Sequence, residues 1–364
     1  GILEDEPRLD YSGSCPALLL EPQRTNLVDY SEYFEGNQLF SNLTAQYNSI
    51  ISPEGLLNAT KITAIGSGKH EFGDYPNVSS GVDIVGSVFV KADATEYVQF
   101  YFGGGPASGS PYANFFIGDN PSVEREVDLT ASIEDVGNGW LRLIIKQTTD
   151  ASGIIAFAVM PIPNGTIGRA VSYTANGESI FTYGLQFEQD ATYPTSYIPT
   201  YGTSQTRLQD VCGGAGDVNT FNSTEGVLYA EISALANDGT YRLIDVSNGG
   251  SGDRIFLAYT NSDNRIRVAL RVGNSTQFDY QYTITDATEF NKVAFKYKEN
   301  DFALFVNGVK VYTDNSGITF PADTLNVINF SNVFGSENFF GNVKQTIIFP
   351  TALSDEACIE LTTI

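Results

Sequence analysis

Apolar and polar side chains alternate with a period of two along most of this chain, and this pattern restricts the fold more than any other feature. In segment 292–298 three apolar side chains share one face and three lysines share the other, which predicts a half-buried antiparallel strand. Apolar runs follow at 302–306 and 309–312. The Asn307-Gly308 pair between them favours a type I′ turn, because both central residues of that turn need a positive φ. The stretch therefore predicts a three-stranded meander.

Helical periodicity is nearly absent, and the strand pattern recurs in the first half of the chain. Asn-Gly pairs at 138–139, 164–165 and 176–177 stand beside apolar runs, as expected for the hairpins of a sandwich or jelly roll. The abundance of Gly, Phe and Tyr, with a single Met, is typical of short strands joined by tight turns. One helix is predicted, from a Ser354 cap to about Leu361.

The chain length of 364 residues exceeds the usual core of one domain, so two domains are expected. We predict an all-β fold of two tandem antiparallel β-sandwich (jelly-roll) domains, separated by a Gly-, Thr-, Ser- and Asn-rich stretch. The predicted parts are an N-terminal arm (1–25), a first sandwich (26–205), a linker (206–222) and a second sandwich (223–364). Because the chain opens with Gly1 rather than Met, we expect it to be a piece of a longer polypeptide.

The charge balance argues against two classes of partner. Lys and Arg number 20 and Asp and Glu number 43, so the formal charge of −23 disfavours nucleic acid and anionic membrane surfaces. Such a surface gives solubility, or else recruits divalent cations. No apolar run approaches the roughly 18 residues that span a bilayer, so no membrane insertion is expected.

The three cysteines, Cys15, Cys212 and Cys358, are far apart and odd in number. They are predicted to be free thiols, as in a protein that folds in a reducing cytoplasm. Two sandwich cores of this size need no crosslinks.

Five phrases follow one another in a fixed order in the first half of the chain. They are EPQRTNL at 21–27 with YSE at 30–32, SVFVKA at 87–92, GNGWLR at 137–142, GLQFE at 184–188 and PTSYIPT at 194–200. In this order they resemble the carbohydrate-binding-module-like domain that is common in phage tail-fibre and other virion proteins. The resemblance spans about residues 21–207 and implies a β-sandwich that binds glycans.

The second half, from about Gly226, carries a different set of phrases. They are FNKVAFKYK at 290–298, FVNG at 305–308, FGNVK at 340–344 and ALSDE at 352–356. These resemble a concanavalin A-like domain of the laminin-G type. Similar proteins pair the two domains in this order near the C terminus of phage fibres, often as trimers. Segment 346–349 is apolar where the family has a polar stretch, which indicates an extra buried contact or an intersubunit contact.

Catalytic chemistry has few candidate residues. His70 is the only histidine, and a lone histidine between Lys69 and Glu71 is interpreted as a solvated loop residue. Glycosidases need two carboxylates, for which Glu124, Glu126 and Asp128 are the candidates. The opposite face of their segment is apolar, so these acids are better explained as the solvated side of a strand. The chain is therefore predicted not to be an enzyme.

A glycan-binding site needs only an aromatic face for the apolar side of a sugar and a few planar polar groups for its hydroxyls. The candidate ligand contacts are Tyr97, Tyr101 and Tyr112 in the first domain, and Arg254 and Tyr259 in the second. The competing interpretation of each tyrosine is a core or rim position. The single tryptophan, Trp140, follows an Asn-Gly turn and is expected to fill the sandwich interior rather than to contact a ligand.

A calcium ion would need several oxygen ligands from loops. The candidates Asp245, Asp253, Asp263 and Asn264 follow no EF-hand or repeat spacing, so neither a metal nor another cofactor is assigned.

These observations predict a non-enzymatic adhesion module of a phage tail fibre or related virion protein, with host cell-surface polysaccharide as partner. The alternative is a spacer or trimerisation module, and a polysaccharide depolymerase is disfavoured. The other expected partners are further fibre or virion segments and two more copies of the chain.

A homotrimer is expected to use the N-terminal arm, because the apolar run 17–20 needs cover from its own domains or from neighbouring subunits. The protein is expected to fold in the host cytoplasm and to act outside the cell as part of a virion.

Overall fold

The computed structural model describes residues 7–11, 13 and 15–364. Its regular structure is almost entirely β-strand in antiparallel sheets, which confirms the predicted fold class. The chain divides into two compact units. Residues 23–208 are here called the inserted domain, and residues 1–22 with 209–364 are called the split domain.

The split domain begins with two short strands in the segment predicted as an N-terminal arm. These are β1 (Leu9–Asp10) and β2 (Ala17–Leu20), which pair with each other. Strand β2 also pairs with the last strand of the chain, where Leu18 lies opposite Val343. Leu20 is buried in the core of the split domain, so this domain itself covers the apolar run. Residues 1–6, 12 and 14 of the predicted arm lie outside the described residues.

A polar anchor holds the start of this segment. The Arg8 guanidinium donates to Glu21 through Nη1 at 2.5 Å and to Asp210 through Nε at 3.1 Å. Asp210 also accepts the backbone N–H of Glu21 at 2.6 Å. The entry to β1 is thereby tied to the point at which the chain returns to the split domain.

The inserted domain is built from short strands. In chain order they are β3 (Arg24–Asn26), β4 (Leu39–Ser41), β5 (Leu43–Ile51), β6 (Leu57–Ala64), β7 (Ser67–Gly68), β8 (Glu71–Asp74), β9 (Asn77–Val78), β10 (Asp83–Ala92), β11 (Tyr97–Gly103), β12 (Tyr112–Phe116), β13 (Ser122–Val127), β14 (Thr130–Gly137), β15 (Trp140–Thr148), β16 (Gly153–Ile154), β17 (Ala156–Pro161), β18 (Tyr173–Thr174), β19 (Ser179–Gln189) and β20 (Gln205–Arg207). A single 3-10 turn spans Phe34–Gly36. Two six-stranded sheets, β14-β15-β10-β19-β6-β5 and β13-β12-β11-β17-β8-β4, share one apolar core. Strands β3 and β20 pair with each other.

The rest of the split domain follows residue 208. Its elements are β21 (Gly213–Ala215), β22 (Glu225–Ala234), β23 (Arg242–Ser247), β24 (Arg254–Tyr259), β25 (Arg265–Val272), β26 (Ser275–Thr283), β27 (Asn291–Lys298), β28 (Phe302–Val306), β29 (Val309–Asp314), β30 (Val327–Asn329), β31 (Gly341–Phe349) and the helix α1 (Asp355–Thr362). A seven-stranded sheet, β1-β2-β31-β22-β27-β28-β29, packs against a six-stranded sheet, β21-β30-β23-β24-β25-β26. Strands β20 and β21 occupy part of the predicted linker 206–222.

Helix α1 matches the predicted helix, and the Ser354 side chain caps it by accepting the Ala357 N–H at 3.2 Å. Within the described part of the chain, no helix has the length and apolar character to span a membrane.

The predicted meander is confirmed by β27, β28 and β29, and φ is 49° at Asn307 and 79° at Gly308. The prediction that the lysine side of β27 faces solvent is wrong for Lys296. Helix α1 packs over that side, and Lys296 Nζ contacts Asp301 and Asp355, each at 2.8 Å. The two carboxylates compensate the charge of the buried ammonium.

The apolar segment 346–349 lies in β31. Ile347 and Phe349 pack against the cluster beneath α1, and Ile348 packs against the main core. Of the two expected roles of this segment, the structure shows the buried contact within the domain.

The cysteines differ in accessibility, and this difference should control their reactivity. Cys15 is exposed, whereas Cys358 is buried, and burial raises the pKa of the Cys358 thiol to about 11. An aromatic disulfide reagent at pH 8 should therefore modify Cys15 in the native protein and reach Cys358 only after unfolding. The denatured chain should yield three thiols, and a Cys15→Ser variant should lose the fast reaction. A count of one thiol would reveal a disulfide and refute the assignment of free cysteines.

Truncating the buried Leu20 side chain should destabilise the split domain. Leu20→Ala is expected to lower its free energy of unfolding by about 2–5 kcal/mol, the usual cost for a buried leucine. The control is Leu9→Ala on β1, where the side chain is 43 % exposed and the cost should stay under about 0.5 kcal/mol.

Denaturant unfolding followed by circular dichroism measures this difference. Fluorescence of Trp140, the only tryptophan, reports on the inserted domain and should shift with neither variant. Equal destabilisation by both substitutions would contradict the placement of β2 in the core.

Candidate functional site

The predicted contacts Tyr97, Tyr101 and Tyr112 lie together on one face of the inserted domain, and Tyr101 is directly opposite Tyr112 on β11 and β12. Segment 162–170 covers this face, and its apolar side chains pack in the same cluster as the tyrosines. Tyr101 and Tyr112 are 4 % and 5 % exposed. Neither ring is therefore open to a ligand.

Buried amide side chains hold the covering segment in place. Gln99 donates to the Gly168 carbonyl at 3.0 Å and accepts the Ala170 N–H at 2.6 Å. Asn114 donates to two further carbonyls of the segment, each at 2.8 Å. Both amides are fully buried, so lifting the segment would leave several polar groups without partners.

Tyr101 is also engaged by charged groups. Its hydroxyl donates to the Glu71 carboxylate, and the Arg169 guanidinium lies 4.7 Å from its ring centre. Burial and the Glu71 carboxylate raise the pKa of Tyr101. The ligand-contact prediction is thus corrected for Tyr101, whose hydroxyl is bonded within the chain, and for Tyr112, which is buried with Arg125 5.3 Å from its ring centre. Tyr97 is partly exposed and packs on the Phe116 ring.

The prediction for Tyr259 is also corrected. Its side chain lies in the core of the split domain, and its hydroxyl donates to the Ile232 carbonyl at 3.0 Å. Strand alternation explains this position, because Ile255, Leu257 and Tyr259 share the inner face of β24, whereas Arg254 lies on the outer face.

The single histidine is a structural residue. His70 is buried rather than solvated, because its two ring nitrogens lie 2.9 and 3.0 Å from the carbonyl oxygens of Asn42 and Tyr173. The Tyr173 ring packs against the imidazole at 4.2 Å. The solvated-loop interpretation of His70 is therefore wrong.

The three candidate carboxylates of the inserted domain are solvent-exposed, as interpreted from the sequence. Each accepts a local hydrogen bond. Glu124 accepts from Ser122 at 2.6 Å, Glu126 from the Ala131 N–H at 2.6 Å and Asp128 from the Ser110 N–H at 2.9 Å. Each therefore has a local structural partner.

The calcium candidates serve different local roles. Asp253 accepts the Gly273 N–H at 2.7 Å, and Asn264 accepts the Ala287 N–H at 2.8 Å. Among the residues that the structure describes, no group of three His, Cys, Asp or Glu side chains is placed to hold a metal ion.

Arg254 belongs to a charged surface on the outer side of the six-stranded sheet of the split domain. We call it the arginine face. Its side chains come from four neighbouring strands and are Asp245, Arg254, Phe256, Arg265, Arg267, Arg271 and Asp279. From the sequence, Arg254 was selected as a ligand contact and Asp245 as a calcium candidate, whereas Arg265, Arg267 and Arg271 on the outward side of β25 were not selected.

Phe256 lies at the centre of the arginine face. Arg254 and Arg267 pack over its ring, at 4.8 and 5.3 Å from the ring centre. Asp279 holds Arg267 by a two-point contact, with Nε and Nη2 at 2.9 and 2.5 Å from its oxygens. The guanidinium plane of Arg267 is therefore fixed before any ligand arrives.

A second group of polar side chains lies at the other end of the face. Arg254 and Arg271 are directly opposite each other on β24 and β25, and Arg254 Nη1 lies 3.3 Å from Asp245 Oδ2. Asp245 is fully buried. Burial raises its pKa to about 6, although Ser247 and Arg254 oppose the shift.

Sequence reasoning missed a pocket of about 520 Å³ on the inserted domain. Lys91 and Phe181 lie beside Trp140 there, and Trp140 Nε1 donates to the Ile51 carbonyl at 3.1 Å. Trp140 is buried as expected, but on the outer side of its sheet, because the neighbouring Leu141 takes the inner side.

Comparison with known proteins gives one family match. Residues 215–357 match a laminin-G model described as the concanavalin A-like lectin/glucanases superfamily. No curated protein matches the chain significantly.

The comparison with solved structures gives several matches, those described here with TM-scores of 0.28 to 0.35. The CBM40 of the Ruminococcus gnavus IT-sialidase, bound to α2,3-sialyllactose, is 20 % identical over 42 % of this chain and 93 % of that chain, with a TM-score of 0.35. Sheep galectin-11 in complex with glycerol is 11 % identical over 39 % and 100 %, with a TM-score of 0.29. Domains LG4-5 of the mouse laminin α1 chain are 10 % identical over 97 % and 96 %, with a TM-score of 0.28. The segment similar to the lectin and glucanase superfamily contains every residue of the arginine face.

Proposed function

We propose that this chain is a non-enzymatic adhesion module of a phage tail fibre or related virion protein, and that it binds host-surface glycans through the arginine face. The observation that carries the proposal is the position of this face within the segment that matches the lectin and glucanase superfamily. Guanidinium groups are planar donors that suit neighbouring sugar hydroxyls, and Phe256 holds two of them in fixed orientations.

Binding without cleavage fits the acids of the arginine face. Glycoside hydrolysis uses two carboxylates that flank the scissile bond. Asp279 is committed to Arg267, and Asp245 is fully buried beside Arg254. Neither is presented to a sugar as a general acid or a nucleophile.

The fibre context of the proposal rests on the ordered phrases at 21–207, which resemble a virion domain. In that context the chain acts in the virion, outside the cell, joined to other fibre segments.

A second role, that of a spacer, is favoured for the inserted domain by one observation. Its tyrosine face is closed by segment 162–170 through fully buried Gln99 and Asn114. A domain that covers this face with its own chain suits a structural part of a fibre. Ligand binding is then assigned to the split domain.

Glycan-array screening of the intact chain should give saccharide hits, with affinities then measured by calorimetry. Arg267→Ala should weaken binding about tenfold or more, because a charge-assisted hydrogen bond contributes about 1.5–3 kcal/mol. The control is Arg125→Ala, because Arg125 also lies 5.3 Å from an aromatic ring, that of Tyr112, but on the inserted domain. An array without any hit would refute the proposed function, and equal weakening by both variants would remove it from the arginine face.

The intact chain should behave as a homotrimer, because the phage-fibre proteins that it resembles are often trimers arranged around the shaft. Light scattering should report the mass of three chains. Deleting residues 1–25 is not a clean test of the interface, since it removes β2 from the core of the split domain. The mass of a single chain would refute the trimer.

A further inference from the structure

We propose that Arg254 and Arg271 form a subsite for the negatively charged group of an acidic saccharide. The inference rests on the proposed glycan-binding function and deepens it, because it names the class of sugar. The subsite lies at the end of the arginine face that is nearest to Asp245.

The first argument is the position of the two charges. Arg254 and Arg271 are cross-strand partners on β24 and β25. Side chains at such positions have Cβ atoms about 4.5–5.5 Å apart, and like charges directly opposite each other destabilise a sheet. An anion bound between the two guanidinium groups would remove this repulsion.

The second argument is the hydrogen-bonding capacity that remains unused. The Nε atoms of Arg254 and Arg271 are both buried and have no hydrogen-bond partner among the described residues. Buried donors normally have an acceptor. A planar guanidinium group matches the geometry of a carboxylate, which accepts parallel hydrogen bonds through its two oxygens.

The third argument is that the single carboxylate of Asp245 cannot neutralise both Arg254 and Arg271. Its Oδ2 faces Arg254 at 3.3 Å, and its Oδ1 accepts no hydrogen bond. One carboxylate against two guanidinium groups leaves a local positive charge in a chain whose formal charge is −23. The excess positive charge is therefore a local property of this site, because the chain as a whole is acidic.

Asp245 also gives the subsite a pH dependence. The groups that face it are Arg254 on β24, Ser247 on its own strand and Asn329 opposite it on β30, and of these only Arg254 is charged. Above its pKa of about 6, the Asp245 carboxylate competes with the ligand for Arg254. Below that pH Asp245 is neutral, while a sugar carboxyl with a pKa of about 3.5 remains ionised. Binding of an acidic saccharide should therefore strengthen as the pH falls from 7.5 to 5.5.

The test is calorimetric titration of the intact chain with a matched pair of oligosaccharides. One is an oligohexuronate, and the other is the same oligosaccharide with its carboxyl groups reduced to alcohols. The acidic form should bind at least tenfold more tightly. Arg271→Gln should remove that preference, so that the acidic form binds no more tightly than the neutral form does. Arg125→Gln removes the same charge from the inserted domain and should change neither affinity.

A second variant gives an independent measurement. Asp245→Asn should tighten binding of the acidic form at pH 7.5 at least threefold and flatten its pH dependence, with circular dichroism to check the fold. Loss of acidic binding in this variant would overturn the subsite.

The remaining outcomes separate this inference from the proposed function. Equal affinity for the acidic and the neutral oligosaccharide would overturn the subsite and leave glycan binding intact. Equal weakening by Arg271→Gln and Arg125→Gln would also overturn it, because the effect would then be a general one of net charge. If no saccharide from the array or this pair binds, the proposed function fails, and the inference fails with it.

Discussion

The pairing of β2 with β31 brings residues from both ends of the chain into one sheet, and the architecture depends on it. Leu20 completes the core from this strand, and Arg8 links Glu21 to Asp210 where the chain re-enters the domain. For the inserted domain, the matching requirement is that its two ends lie close together. Its terminal strands, β3 and β20, pair with each other, so that its ends lie side by side as domain insertion requires. Contacts between residues so distant in sequence slow folding, because the loop entropy is lost before the contact stabilises the chain.

Local patterns were predictable from the sequence because the responsible residues are neighbours in the chain. The Asn307-Gly308 turn and the Ser354 cap each depend on a few adjacent residues, and the structure shows both. The environments of Lys296 and Leu20 were not predictable in this way. Lys296 is covered by a helix that begins at Asp355, and Leu20 by strands from the other end of the chain. Alternation identifies the two faces of a strand, but not which of them a distant element covers.

In the candidate site, too, features set by neighbouring residues were predictable from the sequence, and features set by distant segments were not. Alternation alone separates Arg254 from Tyr259 on β24, and it marks Arg267 and Arg271 as outward on β25. The closure of the tyrosine face had no such marker, since segment 162–170 carries no strand pattern and its position depends on Gln99 and Asn114. Aromatic residues in a β-rich chain do not by themselves indicate a ligand-binding site, because the same residues also fill hydrophobic cores. Charged residues opposite each other are more informative, because their position needs a physical reason.

The net charge of the chain and the charge of the arginine face have opposite signs, and their ranges of action differ. At physiological ionic strength the field of an exposed charge is screened beyond about 8 Å. The distant carboxylates therefore reduce the rate at which an acidic polysaccharide approaches, but they have little effect on a ligand already in contact with Arg254 and Arg271. Under the proposed function, such a surface would reject acidic polymers that cannot engage the site and retain those that can. A module of this kind would gain specificity at the cost of association rate, and in the proposed fibre several copies would recover affinity through simultaneous contacts.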